Sequence, residues 1–361
     1  MKRRLALTAL ALLASACGAG NGIDSFNSAG DVQSGNCLVP SSQLVSGGPG
    51  RDGIPALNNP RAVSAREGDE FMPPGALVVG VSIDGEARAY PHNILWWHEI
   101  VNDVLGSRPI VVSYCPLTGS GLVYDAVVSG QTLSFGVSGL LFDNNLVLFD
   151  RATESLWSQM RVQAVCGRLS GGSPPLLPVV QSTWAAWKAL HPETTVLTFQ
   201  TGFARNYNQY PYGSYDQLGN NTLLFPQSDI DGRRPMKELV LGVRQGEAAR
   251  AYPYGALGER SAVNDTVAGR DVLVVFDRPA QLALAFDRDI GARRLTFEIV
   301  GNDDAFPFML RDEETGTLWD LGGLALSGPL SGTRLRQVAT YSAMWFAWAA
   351  FNRGTDLYLP S

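Results

Sequence analysis

Two stretches of this chain carry the same uncommon residues in the same order, and that repetition limits the folds open to it. The first runs Val79-Gly80-Val81, then Gly85-Glu86-Ala87-Arg88-Ala89-Tyr90-Pro91, then Val101-Asn102-Asp103. The second runs Leu241-Gly242-Val243, then Gly246-Glu247-Ala248-Ala249-Arg250-Ala251-Tyr252-Pro253, then Val263-Asn264-Asp265. Asn102 and Asn264 set the offset at 162. It persists downstream, where Asp150, Thr153, Leu156 and Trp157 match Asp312, Thr315, Leu318 and Trp319. After a slip of one residue, Gly167, Trp184 and Trp187 match Gly328, Trp345 and Trp348. The spacing predicts two tandem copies of one unit, and 361 residues suit two domains at roughly 150 residues each.

Each copy predicts mostly strands. Ala76 to Tyr90 alternates apolar residues around Asp84-Gly85, a strong two-residue hairpin signal. Ile94 to Asn102 reads as a short helix or helical turn, and Pro109 to Tyr114 as a buried strand. Leu122 to Val137 reads as a second hairpin turning at Ser129-Gly130, and Leu146 to Arg151 as a further strand. Ser182 to Leu190 closes the copy as an amphipathic helix. The 39 glycines and 21 prolines supply the turns such a chain needs. The expected class is α+β with β dominant: a small curled antiparallel sheet or barrel with a C-terminal capping helix.

The N-terminus reads as an export signal, with Lys2-Arg3-Arg4, an apolar run from Leu5 to Leu13, and Ala14-Ser15-Ala16-Cys17. Small residues ahead of Cys17 resemble a bacterial lipoprotein processing site, which implies lipid attachment at Cys17; an ordinary secretory signal is the alternative. The expected organisation has five parts. These are a lipoprotein-type signal over 1–17, a flexible Gly/Ser/Asn-rich tether over 18–50, a first repeat domain over 51–195 and a Tyr-rich insert over 196–235. A second, degenerate repeat domain follows over 236–361. The expected location is the cell envelope, with the membrane contacted by the lipid anchor. Setting aside the three basic residues of the signal leaves 25 basic against 34 acidic side chains, which argues against nucleic acid as the main partner.

One copy serves as a control for the other. Asn102-Asp103, Tyr90-Pro91, Asp150 and Trp157 occur in both and so read as scaffold. His92, His98, Glu99 and Cys115 face Tyr254, Arg260, Ser261 and Asp277, and are therefore free to serve something else. Together they supply a thiol, two imidazoles and a carboxylate. Cys115 ends the apolar strand and precedes Pro116-Leu117-Thr118-Gly119-Ser120-Gly121, a Gly-rich turn expected to offer backbone N–H groups to an anion. The competing reading makes Cys115 a small buried hydrophobe and His98 a capping or core histidine. The insert holds Tyr207, Tyr210, Tyr212 and Tyr215, which read first as a plug in the seam between domains and second as a groove lining. Cys37 and Cys166 are one disulfide pairing, Cys115 and Cys166 the other.

The runs Gly85 to Pro91, Trp97-His98-Glu99-Ile100-Val101-Asn102-Asp103 and Tyr114-Cys115-Pro116-Leu117 resemble the domain of unknown function 3179 family. Asp150-Arg151, Ser155-Leu156-Trp157-Ser158-Gln159 and Gly47-Gly48-Pro49-Gly50-Arg51-Asp52-Gly53-Ile54-Pro55 fit the same pattern. The resemblance implies the domain without a settled activity. Some relatives carry a second cysteine where this chain has Thr118, which weakens a Cys-x-x-Cys redox or metal reading.

Three functions stay open on sequence. The first is a thiol-dependent enzyme with Cys115 as nucleophile, His98 as base, Glu99 as orienter, and the Thr118, Gly119, Ser120 and Gly121 backbone binding substrate. The second is a copper or zinc site through Cys115, His98 and His92. The third is a non-catalytic binding or assembly lipoprotein whose partner is a small molecule or another protein.

Overall fold

The computed structural model describes residues 36–227, 229–302 and 305–360. The signal, Cys17 and most of the tether lie outside the described residues. Strands dominate, arranged in open sheets of two to five strands; among the described residues none closes into a barrel.

The hairpin turning at Asp84-Gly85 forms as the sequence predicts, with Leu77–Ile83 against Glu86–Pro91 and left-handed φ of 51° and 87° at the two turn residues. It sits in a five-stranded sheet flanked by Val180–Thr183 and Thr195–Leu197, the latter pairing in parallel. The helix Trp184–Leu190 follows Val180–Thr183, capped by the Thr183 hydroxyl. Trp187 lies flat on the hairpin where Gly80 leaves room, since a Cβ there would collide with the indole.

The second half repeats these contacts. Leu239–Gln245 pairs with Ala248–Pro253, flanked by Tyr341–Met344 and, in parallel, Asp356–Leu357. The helix Trp345–Phe351 follows, and Gly242 makes room for Trp348.

The residues common to both halves have identifiable work. Asn102 bridges two sheets: its amide donates to the Phe135 carbonyl and its side-chain oxygen accepts from Phe135 N–H, each at 2.8 Å. Asn264 does the same at Phe297, at 2.8 and 2.9 Å. Asp103 accepts from Arg88 at 2.7 Å and Tyr90 at 2.8 Å, as Asp265 does from Arg250 and Tyr252. Asp150 and Asp312 bond the backbone of the turns that follow them, as Asx side chains do, whereas Asn102 and Asp103 sit within a strand.

Two sequence expectations need correction. The helix runs His92–His98 and stops there, because Glu99 takes a left-handed φ of 55° and Ile100–Leu105 continues as a strand. Only Val127–Val128 and Gln131–Thr132 form the small hairpin around Ser129-Gly130. Phe135–Phe142 pairs instead with Asn145–Asp150.

The apolar core runs across both halves: Val240, Tyr341, Met344 and Trp348 pack in one cluster with Val79, Tyr90 and Val112. A disulfide joins Cys37 to Cys166 at the edge of the first half's outer sheet, leaving Cys115 as the free thiol among the described residues.

Candidate functional site

The end of the helix His92–His98 decides where the candidate residues point. His98 is fully buried and hydrogen-bonded at both ring nitrogens, to the Pro55 carbonyl at 2.8 Å and the Tyr207 hydroxyl at 2.7 Å. A carbonyl only accepts, so Nδ1 carries the proton and Nε2 accepts from Tyr207. Burial holds the imidazole below its usual range, and nearby Arg205 pushes the same way. The ring is therefore neutral, and neither nitrogen is bonded to Cys115.

Glu99 turns elsewhere. Its left-handed backbone places the carboxyl in the wall of a cavity of about 400 Å³. Trp96, Trp97, Leu117, Leu141, Leu146 and Tyr212 are among its neighbours there. Burial raises the carboxyl to about 8, so it is uncharged at neutral pH and holds a proton available for donation. Arg205 stands at the same cavity without an ion pair to Glu99. The cavity follows a register shift between Val137 and Leu141, where Gly139 adopts a φ of 78°.

Cys115 is 1 % exposed, and its thiol makes a 3.8 Å contact to the Asn144 carbonyl. Burial, with the neighbouring Glu99, pushes it up to about 11, so the thiol is protonated. His92, also buried, is driven down to about 3; its ring centre lies 4.4 Å from that of Tyr114. The structure thus brings Cys115 near Glu99, bonds His98 to Pro55 and Tyr207, and lays the His92 ring against Tyr114.

The turn expected to cradle an anion uses part of its N–H groups internally. Thr118 N–H donates to the Cys115 carbonyl at 3.2 Å, and Gly121 N–H to the Gln181 side chain at 3.1 Å. Thr118 and Ser120 hydroxyls join a buried network with Asn145 and Gln159. Cys115 pairs with Ser120 to close a hairpin turn, and the Thr118 and Gly121 N–H groups are thereby spent on internal partners. Among the described residues no group of three or more His, Cys, Asp or Glu side chains is placed to hold a metal ion.

The Tyr-rich insert packs over this region. Tyr210 and Tyr215 hydroxyls donate to the Pro116 and Leu117 carbonyls at 3.4 and 3.0 Å, and Tyr212 walls the Glu99 cavity. Sequence reasoning passed over Trp96, Trp97 and Arg205 as lining residues. The adjacent tryptophans beside Glu99 were the available signal.

The family model described as "Protein of unknown function (DUF3179)" matches residues 51–355. The chain belongs to the DUF3179 family. The DUF3179 match takes in Glu99 and most of its cavity, the insert and nearly all of both halves; Cys37 and the strand Asp356–Leu357 lie outside it. No curated protein and no solved structure matches the chain. No helix among the described residues is long and apolar enough to cross a membrane.

Proposed function

We propose that this DUF3179 protein is a non-catalytic binding protein of the cell envelope that takes a small, mostly apolar molecule carrying a hydrogen-bond acceptor. The observation that carries this reading is the uncharged Glu99 carboxyl in the wall of the apolar cavity. Ligand sites are typically concave, apolar and supplied with few polar groups, and about 400 Å³ lies within their usual range. Among the described residues no donor or cation meets the Glu99 carboxyl. A ligand carbonyl or ether would give it a partner. A non-glycine residue held in left-handed backbone at that spot fits a functional constraint. The protonated thiol of Cys115 and the engaged imidazole of His98 give no support to thiol catalysis.

The wider setting belongs to the same proposal. Export and lipid attachment at Cys17 are supported by the basic, apolar and small-residue run ahead of it. Origin by tandem duplication is supported by the matched residues and their recurring contacts, with the second half keeping the frame and lacking a counterpart of Glu99.

Prodan, an apolar ketone whose emission shifts blue on leaving water, tests the reading. Saturable, blue-shifted binding is expected in the wild type and in Cys115→Ser, and reduced binding in Leu224→Trp, a half-exposed wall position. Binding weakens as pH rises through about 8 and Glu99 ionises, while Glu99→Gln binds without that dependence. An unshifted emission, or equal binding by Leu224→Trp, overturns the proposal.

A further inference from the structure

A second cavity, of about 220 Å³, lies at the seam between the halves and takes no part in the reading above. His92, Tyr114 and Gln181 come to it from the first half, Lys237 and Tyr254 from the second, and Asp216 from the insert.

Lys237 is the unusual member. The chain has three lysines, at 2, 188 and 237, and uses arginine for its other cations. Yet Lys237 is 3 % exposed, an expensive place for a charge. Its ammonium donates to the Tyr215 carbonyl at 2.9 Å and rests on the ring of the same residue. Among the described residues no carboxylate lies within ion-pair distance of it, and an ammonium has three donors to place. Burial pushes the amine down to about 8, against the pull of Asp216, the acidic side chain of the lining, which is itself exposed. His92 adds a buried neutral imidazole whose Nε2 has no hydrogen-bond partner.

We propose that this seam cavity binds a small aliphatic monocarboxylate, its charge paired with Lys237 beside His92. A compact ammonium suits a small anion better than the broad fork of arginine. Leu77, Leu239 and Met344 offer an apolar wall to a short tail. Asp216 repels a dianion more strongly than a monoanion, which favours carboxylate over phosphate.

With three lysines, the full chain labelled with ¹³Cε-lysine gives few signals, and sodium butyrate is the probe. At constant ionic strength butyrate is expected to displace the Lys237 signal saturably, leave Lys188 unmoved and raise the titration midpoint of Lys237. At pH 6, where Lys237 is charged with or without Asp216, Asp216→Asn at its exposed position is expected to tighten butyrate binding about threefold. An absent or unsaturable shift, an equal shift with chloride or phosphate, or weaker binding in Asp216→Asn overturns the proposal.

Discussion

The hydroxyl of Tyr207 donates to Nε2 of His98 across 2.7 Å, joining the insert to a helix end 109 positions earlier in the chain. Thr201 continues the series through its hydroxyl contact to Tyr207, and Pro55 terminates it at Nδ1. This chain of bonds seats the insert over the first half.

Tyr207→Phe strands a buried acceptor on His98 and is expected to cost about 1–3 kcal/mol. Urea unfolding measures it as a lower midpoint at unchanged slope. In a double-mutant cycle with His98→Ala the two losses are expected to add to less than their sum, because both remove one bond.

Glu99 makes stability depend on pH in a direction opposite to an ordinary ion-paired carboxylate. Its folded value near 8 lies above the ordinary 4.5, so the unfolded state ionises first. Stability present below pH 4.5 is lost as pH rises toward about 8, at about 1.4 kcal/mol per pH unit. His92 runs the other way: burial depresses it to about 3 from 6.5, so stability present above 6.5 is lost as pH falls through that window. The two oppose each other on the acid side, and the Glu99 slope stands clear between about 6.5 and 8. Glu99→Gln is expected to flatten that interval, as chemical denaturation across pH reads directly.

Cys115 is expected to resist iodoacetamide at pH 8 in the folded chain and to react fully in denaturant. Both burial and a thiol value of about 11 withhold the thiolate. Peptide mapping of the alkylated protein checks this; rapid labelling of native Cys115 would contradict the burial described above.

Asp150 and Asp312 are expected to behave alike on truncation. Trp157 Nε1–H donates to Asp150 at 3.0 Å and Trp319 Nε1–H to Asp312 at 2.9 Å, with Thr153 and Thr315 bonded in the same way. Asp150→Ala and Asp312→Ala each leave a buried indole N–H unpaired, for a loss of about 2–3 kcal/mol. Thermal unfolding of the two variants side by side provides the measurement.

Local rules made much of this fold legible. Asp84-Gly85 marked a hairpin because two left-handed residues in succession suit few side chains. Comparing the halves assigned Asp103, Asp150 and Trp157 to the frame, and their bonds agree. The site was harder to read. His98 and Glu99 are neighbours in sequence, which suggested joint action with Cys115. One left-handed residue ends the helix between them and separates their surroundings. The partners of His98 are 43 and 109 positions away, and no local pattern announces them. Likewise the turn after Cys115 advertises free N–H groups, and no local pattern announces that Gln181, 60 positions on, takes the one of Gly121.

The disulfide between Cys37 and Cys166 has a mechanical consequence. A pull on the chain ahead of Cys37 passes through a covalent link into the strand Gln163–Cys166. The short strand Leu44–Ser46, held by its ladder to Phe135–Phe142, is relieved of that load and is not unzipped residue by residue. Tension ahead of Cys37 thereby enters the outer sheet at its far edge, through Gln163–Cys166.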